Sequence, residues 1–137
     1  MWETVYAAGR IMVPVLFIAF GVMQFMNIGQ YAASPATVKF VALTGQTVSP
    51  TVVAYAVAAL DLIGGLMILV GVKTRWAALA LFVFTAMTIY LAHPFWAMEG
   101  AARATNQAHA LKNLSIMGAL LMIAAHGPGR FSFDRGR

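Results

Sequence analysis

Residues 52–72 read VVAYAVAALDLIGGLMILVGV, and this stretch decides the fold. Its one charged residue is Asp61. A helix needs ~20 predominantly apolar residues to cross a hydrocarbon core. Lipid offers backbone groups no partners, so an isolated segment of this kind crosses as a helix. Asp61 stands near the middle, where an acidic residue costs about 2.5–3.5 kcal/mol to insert. Ala54, Ala58, Asp61 and Gly65 follow 4, 3 and 4 spacing and therefore share one helical face. Small residues on that face admit a close helical neighbour. Asp61 is thus expected to point into a bundle and away from lipid.

Working outward, Tyr6 to Met26, Trp76 to Ala92 and Asn106 to Ala125 are runs of the same kind; with Val52 to Val72 they make four spans. Trp76 to Ala92 is short and is expected to start at the membrane surface on Lys73 or Thr74. Composition agrees. The 137-residue chain is 61% hydrophobic and 9% charged, with mean hydropathy +0.81. Soluble domains are about 25% charged, and one this small would bury only about two-thirds of its surface. The expected fold class is all-α, a single polytopic four-helix membrane bundle over residues 1–137. Arg10 precedes an apolar run, Ile11 to Met26, longer than the usual h-region of a leader. That run is read as a retained first span.

Nine Lys and Arg stand against four Asp and Glu. In a soluble chain such a balance suggests nucleic acid, but here the basic residues flank apolar runs and act as topology signals, so no nucleic acid is expected. Arg10, Lys73, Arg75 and the tail residues Arg130, Arg135 and Arg137 fall on one side. Lys39 and Arg103 fall on the other, with Lys112 just inside the membrane. The positive-inside rule then places both termini in the cytoplasm. Trp76, Tyr90 and Trp96 lie near span ends, as interfacial aromatics do. The chain has no cysteine, which excludes disulfides, thiolate ligands and thiol redox steps.

The outer loop Asn27 to Thr51 is too long for a bare turn. Ser34-Pro35 can cap and start a short interfacial helix with Phe40, Val41 and Leu43 on its apolar side, and Ser49-Pro50-Thr51 opens the second span. Pro94 disfavours helical geometry at His93 and ends the third span there. Gly127-Pro128-Gly129 stops the fourth. Beyond it, Phe131 and Phe133 are read as a membrane-surface anchor, with Arg130 and Arg135 toward headgroups.

Lys112 is the natural partner of Asp61. With His109 and Asn113 it lines one face of the fourth span, which Ser115 and Ala119 extend. At ~1.5 Å per residue, Asp61 lies ~14 Å and Lys112 ~9 Å below the outer ends of their helices, so a bridge is expected. Such a pair either fixes helix register or handles a proton or ligand. Gln24 shares a face with Pro14, Phe17 and Gly21, either bonding across the bundle or gluing helices together. Thr85 and Thr88 are expected to bond their own backbone. His93-Pro94-Phe95-Trp96 is either an interfacial anchor or the rim of a pocket for a flat apolar ligand such as a quinone headgroup. His93 and His109 alone do not specify a metal or haem site, and neither is assigned. His126 at the inner helix end reads as structural. The ligand-binding candidates are Gln24, Asp61, His93, Trp96, His109, Lys112 and Asn113.

Several motifs together resemble the DoxX family of small bacterial membrane proteins. They are Gly9-Arg10 with Phe17 and Gly21, the acidic residue followed by Leu62-Ile63-Gly64-Gly65-Leu66, and the turn Gly71-Val72-Lys73-Thr74-Arg75-Trp76-Ala77-Ala78. The more specific ones are His93-Pro94-Phe95-Trp96, Leu111-Lys112-Asn113-Leu114 and Gly127-Pro128-Gly129-Arg130-Phe131-Ser132 with Asp134. The resemblance implies a four-helix bundle in the bacterial cytoplasmic membrane. It also implies an association with redox, since the family includes a quinone-reducing subunit of thiosulfate oxidation and partners of oxidative-stress enzymes. Members often carry Lys where this chain has Gln24 and Glu where it has Asp61, so a lysine–carboxylate site is reduced here to Asp61 and Lys112.

The expected function is an accessory subunit of a membrane redox system, with a quinone- or lipid-accessible polar pocket in the outer half of the bundle. The bilayer, a redox-enzyme subunit and a second copy of the chain are the partners that reading calls for. A non-enzymatic scaffold held by its ion pair is the alternative. A small transporter module is less favoured, because no span is broken. A self-contained enzyme is not expected: no nucleophile–base pair, metal-ligand spacing or nucleotide loop stands in the sequence.

Overall fold

The computed structural model describes residues 1–134, so Arg135 and Arg137 lie outside the described residues. Six α-helices follow one another: α1 Trp2–Met26, α2 Ile28–Ala32, α3 Pro35–Leu43, α4 Pro50–Val70, α5 Thr74–Ala92 and α6 Gly100–His126. A 3-10 turn, Phe95–Ala97, joins the last two. Helices α1, α4, α5 and α6 are long and apolar enough to cross a membrane. The protein is an integral membrane four-helix bundle.

The start signals work as their chemistry demands. Ser34 Oγ accepts from the Thr37 backbone N–H at 3.3 Å, and Pro35 occupies the first helical position of α3. Ser49-Pro50 opens α4 in the same way, though without a side-chain bond at Ser49. Helix α5 stops at Ala92, two residues before Pro94. Helix α6 begins at Gly100, six residues before the expected Asn106, because the alanine-rich stretch after Gly100 keeps its helical hydrogen bonds beyond the apolar run. At 1.5 Å per residue α6 is about 40 Å long, more than the ~30 Å hydrocarbon core.

The four spans pack as two antiparallel pairs. The seams of α1 with α4 and of α5 with α6 are extensive, the α4–α5 seam is thinner, and α1 meets α6 least. Helices α4 and α6 lie across the diagonal, and their backbones do not approach closely. The α1–α4 seam is close because glycines face it. A Cβ on Gly21 would stand 2.7 Å from the Leu62 backbone nitrogen, and one on Gly65 would stand 2.8 Å from Ile18 Cγ1. Gly64 does the same toward α5, where Leu81 fills the space. Phe17, Ile68, Ala77, Ala78, Leu81, Leu120 and Ile123 form the apolar core. These residues fall toward the end holding the start of α1, the α4–α5 turn and residues 127–134, here called the turn end. The opposite loop end holds α2, α3 and the α5–α6 connection.

At the turn end the last carbonyls of two helices are bonded one by one. Arg10, 2% exposed, donates from Nη1 to Ile68 O at 2.5 Å and Leu69 O at 3.0 Å, and from Nη2 to Phe131 O. Phe133 N–H reaches Val70 O at 3.1 Å, and Asp134 N–H reaches Gly71 O at 3.1 Å. Arg75 caps α6: its Nη1 donates to Ala124 O at 3.1 Å and Ala125 O at 2.9 Å, and Nη2 to His126 O at 3.4 Å. Tyr6 Oη donates to Gly127 O, and its ring lies 3.8 Å from that of His126. Guanidinium groups suit helix C-termini because they meet unpaired carbonyls and the negative end of the dipole. Gly71 closes α4 at φ 79°, and any Cβ there would collide with Ser132 and crowd Arg10. The tail, expected as a surface anchor, thus also has a structural role. Phe131 and Phe133 are exposed, but the backbone around them folds back as a strap over the α4–α5 turn. Likewise Arg10 is a buried cap, where the sequence suggested a topology signal.

Candidate functional site

The loop half of the bundle, which lacks the continuous apolar core, holds the polar candidates. Gln24 and Asp61 meet in the α1–α4 seam: Gln24 Nε2 donates to Asp61 Oδ2 at 3.0 Å. Both are buried, at 6% and 2% exposure. The reason is register. Ala7, Arg10, Pro14, Phe17, Gly21 and Gln24 are all buried along one stripe of α1, and Ala54, Ala58, Asp61 and Gly65 along one stripe of α4. The close approach at Gly21 and Gly65 then brings the two polar ends together. The remaining oxygens, Gln24 Oε1 and Asp61 Oδ1, are buried without a hydrogen-bond partner. Such groups carry a desolvation penalty of about 1–3 kcal/mol each, and the unpaired atoms here are both acceptors.

The expected bridge from Asp61 to Lys112 is not formed. Lys112 is exposed on α6, a helix whose backbone does not come close to α4. Equal depth in the membrane brings two residues together only on adjacent helices, and these two face each other across the diagonal. Asn113 is half-buried on the stripe that continues through Ile116, Leu120 and Ile123 into the bundle.

A second group sits where α5 meets α6. The His93 and His109 rings stack at 5.0 Å between centroids, 19° from parallel. His93 Nδ1 lies 2.9 Å from Asn106 Oδ1, whose amide Nδ2 is fixed on Ala102 O at 2.9 Å. An amide oxygen only accepts, so the Nδ1 proton is on His93 and its Nε2 is free of that bond. Stacked imidazoles turn their nitrogens outward at the ring edges, so the pair as placed does not clamp an ion between the rings. Asn106 escaped the sequence reading, although it stands three residues before His109 on the same helix. Trp96 belongs to a third group, stacked on Tyr90 at 6.1 Å and edge-on to Phe95 at 5.3 Å. Thr85 and Thr88 bond their own helix, to Leu81 O at 2.7 Å and Phe84 O at 3.0 Å.

The sequence model of DoxX matches residues 5–94, from the start of α1 to the end of α5. The chain belongs to the DoxX family. Two relatives from Escherichia coli (strain K12) extend the likeness across α6. Inner membrane protein YphA is 32% identical over 126 residues, covering 92% of this chain and 85% of its own. Inner membrane protein YqjF is 35% identical over 126 residues, covering 92% and 86%. No solved structure matches the chain. The DoxX match takes in Gln24, Asp61, His93 and the Arg10 cap, while His109, Lys112 and Asn113 lie beyond it.

Proposed function

We propose that this DoxX-family protein is an accessory subunit of a membrane redox system in the bacterial inner membrane. In this reading the loop half of the bundle offers a hydrogen-bonding site to a quinone-type headgroup arriving from lipid. The observation that carries it is the Gln24–Asp61 pair, with two buried oxygens lacking donors. Acceptors without donors suit a ligand that brings O–H groups, so the reduced quinol fits better than the quinone, whose carbonyls only accept. The thin α1–α6 seam is the route of entry. The stacked His93–His109 pair and Asn106, at the same end, supply the groups that would meet a proton released at the headgroup. The names of the two relatives supply the inner membrane. The basic residues at the turn end, Arg10, Lys73, Arg75 and Arg130, favour a reading in which that end, with both termini, faces the cytoplasm. The whole chain acts as one domain.

A structural role for the same pair is the second reading, favoured by its position inside the closest helix seam. Replacing both partners, Gln24→Met with Asp61→Leu, removes both orphan oxygens of the pair and should change stability by less than about 1.5 kcal/mol. Gln24→Met alone strands Asp61 and should cost about 2–3 kcal/mol, so the double variant is expected to melt above that single one. Fluorescence of Trp96, isolated by Trp2→Phe and Trp76→Phe, reports ligand. Saturable quenching by a quinol analogue that the folded double variant abolishes supports the redox reading. No saturable quenching of the parent, with cellular function kept by the double variant, leaves the structural reading in its place.

A further inference from the structure

Helix α3 crosses the loop end of α5 and roofs a groove of about 350 Å³ lined by Phe40, Leu43, Ala86, Met87, Tyr90 and Leu91. This volume falls in the ~300–1,000 Å³ range of small-ligand sites. The lining is apolar but for the Tyr90 hydroxyl, and it sits on a membrane-crossing helix beside the interface aromatics Tyr90 and Trp96. Lys39 marks one end. Its Nζ lies 4.5 Å from the centroid of the Tyr90 ring and 3.3 Å from Tyr90 O. That carbonyl is open because the residue four positions on is Pro94, which has no N–H to return. An ammonium has three donors, and Tyr90 O takes one. Lys39 makes no other hydrogen bond among the described residues, so a fixed cation with unused donors stands at the mouth of an apolar trough.

We propose that this groove binds an anionic phospholipid, with an acyl chain between α3 and α5 and the phosphate on Lys39. Charge complementarity selects the headgroup class, since a zwitterionic lipid gains less from a lone cation at the interface. The site stands apart from the Gln24–Asp61 seam and does not depend on its role.

Native mass spectrometry after reconstitution in an equal mixture of phosphatidylglycerol and phosphatidylcholine tests this. The wild-type protein is expected to retain one phosphatidylglycerol with about fivefold preference, the effect of one basic residue near a membrane surface. Lys39→Gln should bring the two lipids level. Met87→Trp fills the groove, leaves Lys39 in place and should remove the retained lipid, whereas Leu114→Trp, exposed on α6 away from the groove, should keep it. Equal retention of both lipids by the wild type overturns the proposal. So does undiminished retention by Met87→Trp, or a quinone as the retained species.

Discussion

Arg10→Met should leave little folded protein, with a stability loss of about 3 kcal/mol or more. One guanidinium satisfies Ile68 O, Leu69 O and Phe131 O, so it joins α1 to the end of α4 and to the strap. Hydrogen bonds from a charged group are worth about 1.5–3 kcal/mol, and buried carbonyls left behind keep their desolvation penalty. Methionine fills similar space but donates nothing. For a chain of this length the loss corresponds to a fall of roughly 10–15 °C in midpoint. It is measurable by thermal unfolding in mild detergent, alongside the monodisperse fraction on size exclusion. Arg10→Lys separates capping from topology. Lysine keeps the charge that orients the span but cannot reproduce a planar fork reaching three carbonyls, so it should recover only part of the midpoint. A methionine variant melting within 2 °C of the parent would show that the cap is not needed. Full recovery by lysine would return Arg10 to the role of a topology signal.

The four spans were legible because lipid imposes a length and a composition that few other solvents demand. The stops at His93 and Gly127 were legible for a similar reason: glycine and proline restrict the backbone whatever surrounds them. Angular arrangement was not. Periodicity said which face of α4 holds Asp61, but not which helix stands opposite it. The depth argument therefore paired Asp61 with Lys112 across the diagonal of the bundle. The partner, Gln24, was on the candidate list for its place in the stripe with Pro14, Phe17 and Gly21. Stepping that stripe back by four reaches Arg10, so its burial had a visible signal. The positive-inside rule masked it, because a basic residue near a span end already had an explanation. Arg75 on the last carbonyls of α6, and Asp134, whose Oδ2 accepts from the Lys73 N–H at the start of α5, join segments about fifty or sixty residues apart. No local pattern encodes a contact of that range.

Gly21→Ala should cost about 2 kcal/mol, while Gly118→Ala should be neutral or stabilising by up to ~1 kcal/mol. Alanine is the better helix former at both sites, so propensity alone predicts a gain twice. The surroundings decide otherwise. A Cβ on Gly21 would lie 2.7 Å from Leu62 N, 2.8 Å from Leu62 Cβ and 2.9 Å from Leu62 Cα. Backbone and Cβ atoms cannot rotate aside, so α1 and α4 must separate. Near Gly118 nothing lies within 4 Å of the corresponding position. Gln24 is three residues beyond Gly21 on the same stripe, and its 3.0 Å bond to Asp61 spans the seam being forced apart. The alanine should therefore loosen the polar pair as well as lower the midpoint. Thermal melts of the two variants give the stability difference. Adding Gln24→Met to each then shows whether the pair is already weakened: in the Gly21→Ala background the added cost should shrink by about half, and in the Gly118→Ala background it should be unchanged. Equal added costs in both backgrounds would mean that the seam does not position the pair, and the glycines would then serve helix packing alone.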